Sequence, residues 1–195
     1  QAELWRPECA NTVQQLLHGH MHWHHLNRVE NLKQLQPTID AIGGQLAKIW
    51  LLMCGAEVPV SYTQSAGRVL WWIDQLRHLG HNLSNERVWL PMQWLKECDV
   101  PAHILLKTDL PAEQRAQQLS SLIQKIISQA NAECNEYHEQ YALLDDDQTD
   151  PVRSWHVLMQ LRMDLLRVIQ AEPEELFKGL VRIAPLRKWW RVVRT

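Results

Sequence analysis

Phenylalanine is almost missing from this chain: one Phe and three Tyr stand beside ten Trp in 195 residues. Glycine is scarce as well, and seven residues are too few for a turn-rich β architecture. Cysteine is limited to Cys9, Cys54, Cys98 and Cys134. No two form a C-x-x-C pair, and their wide, irregular spacing argues against both a zinc knuckle and a disulfide framework. A reducing compartment, cytoplasm or an organelle matrix, is the simpler setting. An excess of one charge is also lacking. The formal net charge of -2 gives no overall electrostatic footprint for nucleic acid. The most hydrophobic run, Ile49 to Ala56, is bounded by Lys48 and Glu57 and falls far short of a membrane span. The chain opens at Gln1 without Met and without a signal-peptide pattern, so we expect a piece of something longer.

What is present is helical spacing. A hydrophobic fraction of 46% over this length suits one domain, residues 1–195, with a substantial core. Apolar periodicity predicts a first helix after Asn11 towards Leu26. A second is predicted from Pro37 or Thr38 until Gly55 stops it, and a third over Tyr62 to Leu83. Pro91 and Pro101 open two short segments. Pro111, with Glu113 behind it, opens a long helix to about Leu143. Asp145 to Asp150 reads as an acidic loop, Pro151 as the start of another helix, and Lys178 to Arg194 as a basic end. Short connections between long amphipathic helices define an all-α bundle of antiparallel neighbours.

One stretch says more. Gly67-Arg-Val-Leu-Trp71-Trp-Ile-Asp74-Gln-Leu-Arg77-His78-Leu-Gly80-His81-Asn82, followed by Arg87-Val-Trp89-Leu-Pro91, resembles the second signature of the squalene/phytoene synthases. That signature runs G-x-x-x-Q-x-x-N/D-x-x-R-D-x-x-x-D and then R-x-Y-x-P. Gly67, Asp74, Arg77, Arg87 and Pro91 fall on matching positions. The flanks agree: Gly43-Gly44-Gln-Leu before Gly55 resembles the preceding A-G-x-x-G helix, with Leu35 at its usual Tyr. Leu90-Pro91-Met-Gln-Trp-Leu resembles the next helix start, and Val181-Arg182-Ile followed by Arg187-Lys188 resembles the family's ending. The resemblance implies the C-terminal two-thirds of an isoprenoid-synthase-type helical bundle, incomplete at its N-terminus.

Members of that family join two prenyl diphosphates head to head, using Mg²⁺ held by two aspartate-rich motifs. The physical need is plain: diphosphate leaves only when hard cations neutralise its charge, and Mg²⁺ prefers oxygen ligands. Carboxylates four apart on a helix share a face and can serve one cluster. Here the matching positions hold His78 and Asn82, and the family's Gln position holds Trp71. Imidazole is a poor Mg²⁺ ligand and a carboxamide carries no charge. Arg77, Arg87 and Asp74 remain as candidates for holding a diphosphate. Two readings follow from the resemblance. One is a catalytically impaired protein that binds prenyl diphosphate or another isoprenoid lipid, or serves as an assembly partner beside a protein supplying the missing helices. The other is an active Mg²⁺-dependent prenyltransferase of squalene or phytoene type.

Further clusters point less far. His18, His22 and His25 share a helix face, and His20 and His24 another, but no carboxylate lies in the run and H-E-x-x-H is missing. His78 and His81 make a pair without a third ligand. Neither is assigned a metal. Trp50, Trp71 and Trp72 are candidate walls of an apolar cavity, with core packing the competing explanation. The basic C-terminus, from Lys178 through Arg182, Arg187, Lys188, Arg191 and Arg194 with Trp189 and Trp190 among them, suits peripheral contact with a membrane surface. The alternative is a final helix with its charges outward.

Overall fold

Prolines and side-chain caps share the work of starting helices in this chain. The structure is a computed structural model that describes residues 7–26 and 28–182. Helix α1 (Pro7–His25) starts four residues before Asn11. Helix α2 (Leu32–Ile39) is capped by Asn31, whose Oδ1 accepts the Gln34 N–H at 3.0 Å. Pro37 therefore lies inside the helix, where the sequence had suggested its start. A π-helical turn, Asp40–Gly44, follows directly and passes into α3 (Gln45–Met53). Gly55, at φ +71°, then ends it as expected of a residue that enters the left-handed region without strain.

The expected third helix is two: α4 (Val60–Arg77) and α5 (Leu79–Ser84), broken at His78. Pro91 and Pro101 do open short helices, α6 (Met92–Glu97) and α7 (Ala102–Leu105). After Pro111 the chain forms α8 (Ala112–Gln118), kinks at Leu119, and continues as α9 (Ser120–Ala142). The acidic stretch is no loop. Asp145 caps α10 (Asp146–Ala171) in a reciprocal capping box with Gln148, and Pro151 sits within the helix. Asp146 and Asp147 occupy its first turn, where carboxylates favour the positive end of the helix dipole. A short α11 (Glu175–Lys178) completes the described chain.

Helix α4 is the axis of the bundle and packs on α9, the π-turn, α10 and α3. Its meeting with the π-turn is a backbone contact. A Cβ on Gly43 would lie 2.2 Å from the Gly67 carbonyl oxygen, and one on Gly67 would lie 2.3 Å from the Gly43 backbone. Leu35, Ile39, Val69, Ile73 and Leu76 are buried in the same core. Toward α6 the core is aromatic: Trp71 and Trp72 meet edge to face, Trp89 approaches both, and Trp72 stacks on Trp94. The scarcity of Phe is thus made good by indoles in the interior.

Two charged groups are buried with incomplete compensation. Arg115 on α8, 6% exposed, lies over the Phe177 ring at 4.6 Å, and its Nε and Nη2 have no hydrogen-bond partner among the described residues. Glu133 on α9, 8% exposed, accepts from Gln129 Nε2 at 2.8 Å. Burial pushes the Glu133 carboxyl above its ordinary value of 4.5, while the Gln129 bond and the charge of Arg68 pull it back only in part. The native state therefore holds this proton more tightly than the unfolded chain does. Its contribution is favourable below the ordinary value and is lost as pH rises through the raised one. We expect Glu133→Gln to be more stable than the parent at pH 7 and to converge with it near pH 4. Urea melts at the two pH values test this, and a parent that wins at pH 7 refutes it.

Candidate functional site

The C-terminal half of α4 carries the signature residues on successive turns. Its helix ends because the chain turns at His78, with φ −96° and ψ 8°. The His78 ring folds back so that Nδ1 lies 2.7 Å from the Asp74 carbonyl oxygen. A carbonyl only accepts, so Nδ1 is the donor of this hydrogen bond. Asn82 lies one turn on in α5, and its N–H donates to the His78 carbonyl at 2.8 Å.

Asp74 forms an ion pair with Arg162 of α10 at 2.5 Å. Arg77 points the same way, its Nε donating to the Val181 carbonyl at 3.0 Å. Burial is the main cause that holds the Arg77 guanidinium below its ordinary range. The like charges of Arg162 and Arg182 act in the same direction, and Asp74 acts against them. Three guanidiniums and one carboxylate thus meet at one place. Two clefts adjoin Arg77. One, of about 210 Å³, has Arg77, Arg162 and Arg182 beside Leu158, Leu161 and Leu165. The other, of about 390 Å³, has Arg77, His78, His81 and Lys178 on its wall. Arginines beside leucines suit an anion attached to an apolar body.

Arg87 is elsewhere. Its guanidinium lies 5.0 Å from the centroid of Trp23, which meets Trp71 edge to face. Trp71 and Trp72 are packed in the aromatic core, whereas Trp50 is 42% exposed and rests against Trp155. The three do not form one wall. The five histidines of α1 are all exposed, and no group of three or more potential metal ligands gathers among the described residues. Arg187, Lys188, Trp189, Trp190, Arg191 and Arg194 lie outside the described residues. No described helix is long and apolar enough to cross a membrane.

Arg162 was missed in the sequence. Its signal was present, since it interrupts the apolar face made by Leu158, Leu161 and Leu165, and an arginine on such a face needs a partner.

The bundle has the fold of the helical isoprenoid synthases. A solved structure, that of a dehydrosqualene synthase in complex with ligand, superposes with a TM-score of 0.74 at 16% identity, over 94% of this chain and 63% of that one. The squalene/phytoene synthase family model matches residues 10–190, and the chain belongs to that family. A comparison with curated protein sequences gave no match.

Mg²⁺, which the family implies, does not fit the side chains found here. The two signature positions offer an imidazole and a carboxamide, and Asp74 beside them is already engaged by Arg162. Hard-cation chemistry needs free carboxylate oxygens at this face.

Proposed function

We propose that this chain is a member of the family that binds a prenyl lipid without condensing two diphosphates, acting alone or as a partner of another protein. The observation that carries this reading is the state of the signature face. His78 is tied back to its own helix, Asp74 is spent on Arg162, and Trp71 is packed against Trp23 where the family places a glutamine. A prenyl diphosphate is retained here by cations and leucines around Arg77, with no carboxylate pair to gather metal against its leaving group. Contact with a membrane surface through the basic C-terminus accords with so apolar a ligand.

The second reading, Mg²⁺-dependent condensation of two prenyl diphosphates, has the guanidinium cluster in its favour. Arg77, Arg162 and Arg182 are the groups that would steady a developing diphosphate charge. Incubation of the protein with farnesyl or geranylgeranyl diphosphate and Mg²⁺ separates the two. We expect neither pyrophosphate release nor a head-to-head product, and either one would sink the first reading. The double substitution His78→Asp with Asn82→Asp should then raise Mg²⁺-dependent diphosphate affinity where a second acidic motif is supplied. Unchanged affinity would place the deficit beyond these two side chains.

A further inference from the structure

The carboxylate inside the guanidinium cluster has a partner but no task in retaining a lipid. Arg77, Arg162 and Arg182 line one cleft of about 210 Å³, and Asp74 is paired with Arg162 at 2.5 Å. Among these four groups, two positive charges are left uncompensated. Burial first, and then the charge of Arg162, hold the Arg77 guanidinium below its ordinary range, with Asp74 opposing both. The donors are not used up. A guanidinium carries five N–H groups. Arg77 commits Nε to the Val181 carbonyl, and Arg162 commits Nη1 to Asp74. The Arg162 side chain is 22% exposed and that of Asp74 32%, so a dissolved ligand can reach the pair.

An incoming anion meets Asp74 as a rival. A ligand carboxylate has the same charge and the same two oxygens that Asp74 already offers to Arg162. Asp74 is also held in place by the fold, whereas a ligand loses translational freedom on binding. Exchange of one carboxylate for another therefore gains little. A phosphate monoester differs in both respects. It carries nearly two negative charges at pH 7 and three acceptor oxygens, enough to engage Arg77 and Arg182 while Asp74 stays on Arg162. Its charge matches the excess of the cluster. We propose that Asp74 is the selectivity residue of this cleft, holding Arg162 against carboxylate ligands so that phosphate-headed lipids bind without a metal and carboxylate-headed ones are disfavoured. This rests on the prenyl-lipid reading above and adds the group that chooses the headgroup.

The test titrates the protein in EDTA with farnesyl diphosphate, farnesyl phosphate and farnesoate, which differ chiefly in headgroup. The parent should bind farnesyl phosphate about tenfold more tightly than farnesoate, the lower end of what a hydrogen bond to a charged group is worth. Asp74→Asn, which keeps the side-chain shape, should tighten farnesoate about tenfold by opening Arg162 to it. Farnesyl phosphate should gain less, so the gap narrows. Arg182→Gln, at an exposed position, should narrow the gap from the other side by weakening farnesyl phosphate about tenfold. Urea melts show whether both variants fold, and Arg182→Gln decides alone if the Asp74 variant does not. A parent without preference for the phosphate, or a gap that either substitution leaves intact, would overturn this role while leaving the prenyl-lipid reading standing. So would an Asp74→Asn that weakens farnesyl phosphate, since Asp74 would then be positioning Arg162 for the ligand. If the parent binds none of the three ligands, the prenyl-lipid reading itself fails.

Discussion

Gly67→Ala should destabilise the protein by about 3 kcal/mol, the upper part of the range for overpacking a well-packed contact. In a chain of this size that lowers Tm by roughly 6–12 °C. The added methyl would lie 2.3 Å from the Gly43 carbonyl carbon and the Gly44 nitrogen, and what it meets is backbone rather than a side chain that can swing away. The only relief is to part α4 from the π-turn, which would loosen Leu35, Ile39 and Ile73 together. Thermal melts of the single variant measure the loss. A variant that melts with the parent would show that the crossing is looser than the structure has it.

Arg115→Met should raise stability, by about 1 kcal/mol. Burying a guanidinium with two unpartnered nitrogens costs several kcal/mol unless it is offset, and the visible offset is the Phe177 face, worth about 0.5–2 kcal/mol. Burial alone holds the Arg115 guanidinium below its ordinary range, with no carboxylate acting against it. Methionine keeps much of the length, needs no hydrogen bond, and still meets the ring through sulfur. Equilibrium urea unfolding is the measurement. A less stable variant would mean that the guanidinium has an anion to hold between α8 and α11.

Both effects concern packing, and packing is where the sequence was read unevenly. The helical class and the signature were legible because apolar spacing and motif spacing are local quantities. Helix starts were misread at Pro37 and Pro151 for one reason. Proline suits the first turn, but in each case a cap several residues earlier had already begun the helix, from Asn31 and from Asp145. The second of these was visible as Asp145-x-x-Gln148, a capping-box spacing, beneath a run of aspartates that resembled a solvated loop. The break at His78 was not legible, since nothing in a D-x-x-x-D-like spacing reveals that the ring will bond to the carbonyl four residues behind it. Of the site, Arg77 and Asp74 were found through the signature. Arg162, which pairs with Asp74, is 88 positions from it; its break in the apolar face of α10 shows that it needs a partner, but no local pattern says which.

The contact of Gly43 with Gly67 has a consequence for how this signature can change. The glycine sits about three helical turns from His78 and acts only through the fit of two backbones, while positions 78 and 82 act through what their side chains present. Changes at sites so separated, with no partner in common, should combine additively. The folding half and the reacting half of one motif are therefore thermodynamically separable. Carboxylates can leave positions 78 and 82, or be put back, without disturbing the crossing that holds the bundle together.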